Sequence, residues 1–226
     1  SLLGVSVCGR IYDLANTSQI ADAANVLRVA VYDAASFALG GTPIATATFD
    51  GCGNFAATGV TPGLRLLLVS DAGNNTWAPV ATVFSAQVGD RITMPAWTVP
   101  NALAQSWTDD LGNPLVPQGA TLTVFIDPTR PALGPFAGTP AAGVSPVGNI
   151  FPLPSFCFSD GDPLARTVAN NGGVSGTDGS CLSVGGNRTG TITGTGGEPG
   201  GCTWPSVLYL NEPNVLQTQV MTATCP

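Results

Sequence analysis

Short segments of strand character, each ended by a turn signal, recur along the whole chain and constrain its fold more than any other feature. The 226 residues include 29 glycines and 19 prolines. The links between segments carry Asp-Gly, Gly-Gly, Asn-Asn and Pro-Gly pairs, which favour tight turns. No stretch keeps apolar residues at helical spacing over three turns. The sequence therefore predicts an all-β fold.

Nearly all of the predicted strands are shorter than ten residues. In residues 5–12 and again in 27–32, apolar residues alternate with small or polar ones, as in a strand with one buried face. The stretch 17–27 predicts either a helical turn or a long hairpin connection. The predicted strands are 4–12, 26–32, 45–49, 54–57, 64–70, 81–87, 91–94, 120–126, 156–159, 181–184, 189–193, 207–210 and 215–224.

A long, irregular repeat indicates two tandem β-sandwiches rather than a solenoid. The segment 48–55 is echoed by 176–183, because both carry an Asp-Gly turn followed by a cysteine. A chain of this length allows two domains without requiring them. We therefore predict domains at 1–95 and 104–226, separated by a proline-punctuated boundary.

Four motifs recur through the first predicted domain. They are Val7-x-Gly9-Arg10-Ile11-x-Asp13, Val29-x-Val31-Tyr32-Asp33, Asp50-Gly51-x-Gly53-x-Phe55 and Thr61-Pro62-Gly63-Leu64-Arg65-Leu66. With them, about residues 4–90 resemble the carboxypeptidase regulatory-like domain. The resemblance implies a transthyretin-like or Ig-like sandwich, with a diverged copy in the second domain. It says little about activity, because such modules occur as appendages and repeats of many surface proteins.

Charged residues make up only 9% of the chain, and it has no lysine or histidine. Its surface must be built mainly from small and uncharged polar residues. Such a surface suits a protein that packs against neighbours, although a biased genome composition gives the same statistic. The net charge of −7 and seven scattered arginines give no basic stripe for nucleic acid. No apolar run is long enough for a membrane-spanning helix.

Six cysteines without a C-x-x-C pair or a histidine predict disulfides rather than a zinc site. Disulfides in turn predict an oxidising, extracellular or cell-surface location, and the start at Ser1 fits a mature protein that has lost a signal peptide. The division into two domains leads us to predict three bonds: Cys8 with Cys52, Cys181 with Cys202, and Cys157 with Cys225.

The sequence predicts no enzyme and no cofactor. Without histidine, neither a Ser-His-Asp triad nor a Cys-His pair can form. The only two glutamates, Glu198 and Glu212, both precede proline. Asp160 and Asp162 have a spacing seen in calcium loops, although Asp-Gly and Asp-Pro are also ordinary turn pairs. Calcium at these two residues is the one metal hypothesis.

Two functions from different classes follow from these features. The first is a subunit of an extracellular fibre, pilus-like filament, sheath or coat, whose partners are copies of itself or another surface protein. The C-terminal segment 215–224, with Val215, Val220 and Thr224, is charge-free and would make a strand for its own sheet or for a neighbour's. The second is a carbohydrate-binding or adhesive module. It needs exposed tryptophans, whereas core packing is the alternative role for Trp77, Trp97, Trp107 and Trp204.

Overall fold

Strands account for most of the secondary structure. The computed structural model describes residues 4–37, 40–111, 119–148, 155–158, 168–169, 174–177, 179–184, 189–198, 200–210 and 212–226. The prediction of an all-β fold is confirmed. The chain divides into two compact units: one comprises residues 1–14 and 18–104, and the other comprises 15–17 and 105–226.

The elements follow one another in this order: β1 (Val5–Asp13), α1 (Ala23–Val26), β2 (Leu27–Asp33), β3 (Ala45–Thr46), β4 (Thr48–Phe49), β5 (Asn54–Val60), β6 (Gly63–Asp71), β7 (Trp77–Ala78), β8 (Val80–Ala86), β9 (Arg91–Thr93), β10 (Ala96–Pro100), α2 (Asn101–Leu111), β11 (Ala120–Asp127), β12 (Thr139–Pro140), β13 (Val144–Gly148), β14 (Ser155–Phe158), β15 (Val168–Ala169), β16 (Ser180–Val184), β17 (Thr189–Gly196), β18 (Val207–Leu210) and β19 (Leu216–Thr222).

The first unit packs two groups of strands face to face. One has the order β4-β5-β1-β10-β7, and β9 lies parallel to the first half of β1. The other joins β3, β2, β6 and β8 as successive antiparallel pairs. Because side chains alternate along a strand, β1 and β2 turn their apolar residues to one side. The shared core includes Val7, Ile11, Val29, Val31, Phe55, Leu67 and Val69.

The predicted boundary at 95–104 contains β10, in which Ala96, Trp97, Thr98 and Val99 are all buried, and then the start of α2. The division between the two compact units falls at its C-terminal end, between residues 104 and 105. The sequence did not predict α2, because its buried residues Ala104 and Trp107 give only one apolar spacing of three residues and no longer helical pattern. In 17–27, the helical alternative holds for the single turn α1 alone.

The second unit contains a larger and a smaller sheet. The larger has the order β15-β14-β16-β11-β19, with β12 paired to the end of β11. The smaller has the order β13-β17-β18. The inward positions of β17 include Gly190 and Gly194, where a Cβ atom would come within 2.7 Å of the rings of Tyr209 and Trp204 respectively. Glycine therefore leaves room for two aromatic rings in this core.

Aspartate carboxylates organise many of the turns. Asp33 accepts the backbone N–H groups of Ala35 and Ser36 at 3.0 and 3.2 Å, and its other oxygen pairs with buried Arg65 at 2.6 Å. Asp50 accepts those of Cys52 and Asn54 at 2.8 and 2.9 Å. These contacts explain why a chain with so few charges keeps aspartate at its turns.

The carboxylate of Asp71 accepts more backbone N–H groups than that of Asp33 or Asp50. Its pKa therefore leads to a prediction of how stability depends on pH. Desolvation raises the pKa of Asp71, but backbone N–H groups at Gly73, Thr76, Trp77 and Asn75 lower it, and the net pKa falls from 3.8 to about 2. A carboxyl whose folded pKa is depressed contributes stability above its unfolded pKa and loses it on acidification. Stability from Asp71 should therefore be complete above pH 3.8 and disappear as the pH falls through about 2.

The Asp71→Asn variant tests this expectation, because it removes the charge and keeps the shape. Denaturant unfolding from pH 5 downward should show a shallower loss of stability for the variant than for the unchanged chain. Parallel acid slopes for the two proteins would show that the carboxylate of Asp71 does not stabilise the fold.

Candidate functional site

Two disulfides staple the second unit. Cys157 bonds to Cys181, 24 residues away, and Cys202 bonds to Cys225, 23 residues away. The predicted pairing of Cys181 with Cys202 and Cys157 with Cys225 is wrong. The prediction did not take account of the pairing of β14 with β16, which places Cys157 directly opposite Cys181. An antiparallel bridge between Thr203 and Thr224 likewise brings Cys202 beside Cys225.

Cys8 and Cys52 are free thiols, so the predicted bond between them is also absent. The register of β1 and β5 places Cys8 opposite Ala56, four residues along the chain from Cys52. Cys52 lies in the turn that precedes β5, so the pairing of the two strands does not place it opposite Cys8. The first unit therefore depends on packing and hydrogen bonds.

The C-terminal segment forms a strand of its own sheet, which is one of the two roles predicted for it. β19 pairs in parallel with β11 along its whole length, with Val220 opposite Val124. Val215 is buried, and Thr224 forms the bridge to Thr203. The other role, as a strand for a neighbour's sheet, stays a prediction.

Two glutamines of this segment, Gln217 and Gln219, form hydrogen bonds with the backbone of β18. Gln217 and Gln219 are 1% and 6% exposed. Their amides donate to the Leu208 carbonyl at 3.2 and 2.7 Å, and Gln217 Oε1 accepts the Leu210 N–H. Buried polar groups are normally hydrogen-bonded, and these bonds satisfy both glutamine side chains. They also satisfy the Leu208 carbonyl and the Leu210 N–H of β18, which are then not available to another strand.

Several strands at the ends of the sheets are very short or contain proline, which limits edge-to-edge pairing in a chain without lysine. β3, β4, β7 and β15 lie at sheet ends and each have two residues. β13, at the end of the smaller sheet, contains Pro146, which has no N–H to donate. Short edges and proline are recognised protections against edge-to-edge pairing. Assembly through the faces of the sheets therefore fits this structure better than strand addition.

One face of the smaller sheet is free of charge. The threonines of β17 alternate with the buried residues Gly190, Ile192 and Gly194, so they line the opposite face. Val147 of β13 lies opposite Thr193 and is 45% exposed. We call this surface the threonine face; it consists of Thr189, Thr191, Thr193, Thr195, Ser145, Val147, Leu208 and Leu210.

The four tryptophans do not form one exposed platform. Trp97 and Trp107 are buried, at 2% and 1% exposure. Trp77 and Trp204 are half-buried and belong to different units. The Trp204 indole N–H donates to the Gly196 carbonyl at 3.0 Å, and its ring packs edge-on against Phe125 at 5.2 Å. At least Trp97 and Trp107 therefore act in core packing.

The calcium candidates Asp160 and Asp162 lie outside the described residues. Within the described ranges, no three acidic or cysteine side chains group closely enough to hold a metal ion. Asp127 and Glu198 both approach the guanidinium of Arg130, at 3.2 and 3.5 Å. That cation lies beside a small cavity formed also by Thr139, Pro140, Ala141, Ala142 and Thr177. Among the helices that are described, none is long and apolar enough to cross a membrane.

No family model and no curated protein matches the chain. Comparison of structures gives matches of low similarity, among them bacterial pilins. The shaft pilin SpaA from Lactobacillus rhamnosus GG is 12% identical with a TM-score of 0.28, and the alignment covers 98% of each chain. The streptococcal ancillary pilin is 11% identical with a TM-score of 0.30, over 98% of this chain and 63% of the pilin.

The Bacillus anthracis TIE protein is 8% identical with a TM-score of 0.30; the alignment covers 98% of this chain and 34% of that protein. The chain thus spans about a third of the TIE protein and less than two thirds of the ancillary pilin. The resemblance to the carboxypeptidase regulatory-like domain stays a prediction. At these TM-scores the function must be argued from the chain's own surfaces.

Proposed function

We propose that the chain is a secreted structural subunit that packs against copies of itself or another surface protein in a fibre, pilus-like filament, sheath or coat. The threonine face is the observation that carries this proposal. It combines a row of threonines with the side chains of Val147, Leu208 and Leu210 and contains no charge. Burying such a surface costs no charge desolvation.

The disulfides and blunted edges support the same function. Two disulfides fit an extracellular location. Four of the strands at sheet ends are only two residues long, which limits uncontrolled strand pairing there, so contacts through a face can set the geometry of the assembly. With no histidine in the chain, we further propose that it carries no hydrolytic activity. A screen of peptidase, esterase and glycosidase substrates should therefore be blank.

A charge placed on the threonine face should break the assembly. Val147→Glu forces a carboxylate into a contact that is otherwise uncharged, and burying an unpaired charge costs several kcal/mol. Negative-stain microscopy of purified native material should show assemblies for the unchanged chain and isolated particles for Val147→Glu.

Val88→Glu is the matched control, because Val88 is also exposed, at 59%, but belongs to the first unit and is not part of the threonine face. It should assemble normally, and both variants should keep the β-rich circular dichroism of the unchanged chain. Equal assembly of all three proteins would remove the threonine face from the contact. Isolated particles of the unchanged chain that bind glycans would favour the carbohydrate-binding alternative.

A further inference from the structure

We infer that Asn74 is an acceptor site for an N-linked glycan. The chain contains three Asn-x-Ser/Thr sequences, which begin at Asn16, Asn74 and Asn187. The sequence alone does not separate them, because a chain rich in asparagine and threonine produces such triplets by chance. The structure does distinguish the two triplets whose asparagine is described, since an acceptor triplet should lie in an exposed surface loop.

Asn74 meets this requirement. It lies in the loop between β6 and β7, where residues 73–76 are all exposed. The carboxylate of Asp71 fixes the main chain of this loop by accepting five backbone N–H bonds of 2.5–3.1 Å, from Gly73, Asn74, Asn75, Thr76 and Trp77. The Asn74 bond to Asp71 uses the backbone N–H, and Asn74 itself is exposed on a main chain that this carboxylate holds in place.

The far side of the loop is tied down separately from Asn74. The Asn101 side chain donates to the Asn75 carbonyl at 2.8 Å, and the Asn101 backbone N–H donates to the Thr76 carbonyl at 2.9 Å. Asn75 adopts a positive φ of 55°, which asparagine tolerates better than most residues. A glycan on Asn74 would therefore project from the tip of the loop without displacing a contact of the fold.

The triplet at Asn16 is a poorer acceptor. Asn16 is exposed but takes part in an interaction, and Thr17 within its triplet is half-buried, whereas all three residues of the Asn74 triplet are exposed. Its neighbour Thr17 has a φ of 57°, an uncommon conformation for a β-branched residue. Asn187 lies outside the described residues. The geometry therefore points to Asn74 among the two triplets whose asparagine is described.

The modification requires a lipid-linked oligosaccharide pyrophosphate as donor. The Asn74 side-chain nitrogen attacks the anomeric carbon of the first sugar. The new N–C bond replaces the bond to the pyrophosphate, which leaves with its lipid, while the nitrogen gives up a proton to a base of the transferase. A hydrated glycan would also supply polarity to a surface with only 9% charged residues. The inference depends on secretion and is independent of assembly.

The full chain, expressed behind a secretion signal in eukaryotic cells, tests the site. Intact mass before and after peptide:N-glycosidase F should reveal a glycan on the unchanged chain. Peptide mapping should place a glycan on the peptide that contains Asn74. This glycan should be lost in Asn74→Gln and in Thr76→Ala, but retained in Thr76→Ser and in the control Asn16→Gln. Circular dichroism of each secreted variant confirms folding. A secreted chain without glycan at Asn74, or a total glycan mass that is unchanged in Asn74→Gln, would overturn the inference.

Discussion

Reducing agent is expected to unfold the second unit while the first unit stays folded. The two disulfides close loops of 24 and 23 residues. In the chain-entropy model each contributes about 3.5 kcal/mol. Together they supply about 7 kcal/mol, which is comparable to the whole stability of a typical domain. The first unit contains only the free thiols of Cys8 and Cys52, so reduction removes none of its bonds.

Hydrogen exchange read by mass spectrometry, with and without reductant, distinguishes the two units. Protection should be lost in residues 105–226 and retained in residues 18–104. The Cys8→Ser/Cys52→Ser double variant is the control, and it should match the unchanged chain under both conditions. Equal loss of protection in both units, or no loss in the second, would contradict the conclusion that disulfides stabilise the second unit alone.

The second large effect is expected from Gly9→Ala in β1. A Cβ atom at Gly9 would lie 1.9 Å from the carbonyl oxygen of Met94 and 3.2 Å from the Phe55 ring. The carbonyl cannot move easily, because the backbone N–H of Met94 donates to the Cys8 carbonyl at 3.0 Å. Overpacking against fixed backbone typically costs 1–3 kcal/mol, and we expect about 3 kcal/mol here.

Gly51→Ala is the matched control for Gly9→Ala. A Cβ at Gly51 meets no atom within 4 Å, and its φ lies outside the left-handed region. Its stability should stay within about 0.5 kcal/mol of the unchanged chain. Denaturant unfolding of the three proteins gives both differences. Equal stability of the two variants would show that the backbone around Met94 moves to accommodate the added Cβ atom at little cost.

Local patterns in the sequence were sufficient for many strands, but not for β10 and β13, which lie outside the predicted segments. The alternation in β1 and β2 predicts their position closely, because one face of each packs into a core. Aspartate favours turns, and Asp33 at the end of β2 accepts two backbone N–H groups. Such features depend on neighbours within a few residues.

Features that depend on distant pairing could not be predicted. The disulfide partner of Cys157 follows from the register of β14 and β16, which no local signal encodes. Gln217 and Gln219 resemble solvent-facing positions of an edge strand until β18 is placed beside them. The threonine face could have been found from the Thr-Gly-Thr-Ile-Thr-Gly-Thr alternation of 189–195, since small buried residues alternate there with threonine.

Static light scattering of purified native material at low and high salt tests assembly through uncharged contacts most directly. Exposed ion pairs are screened within a Debye length of about 10 Å or less, whereas apolar and hydrogen-bonded contacts persist. We expect particles several times the 22.7 kDa chain mass at both salt concentrations. A stable monomer at micromolar concentration in both, with no partner co-purifying, would contradict the structural role.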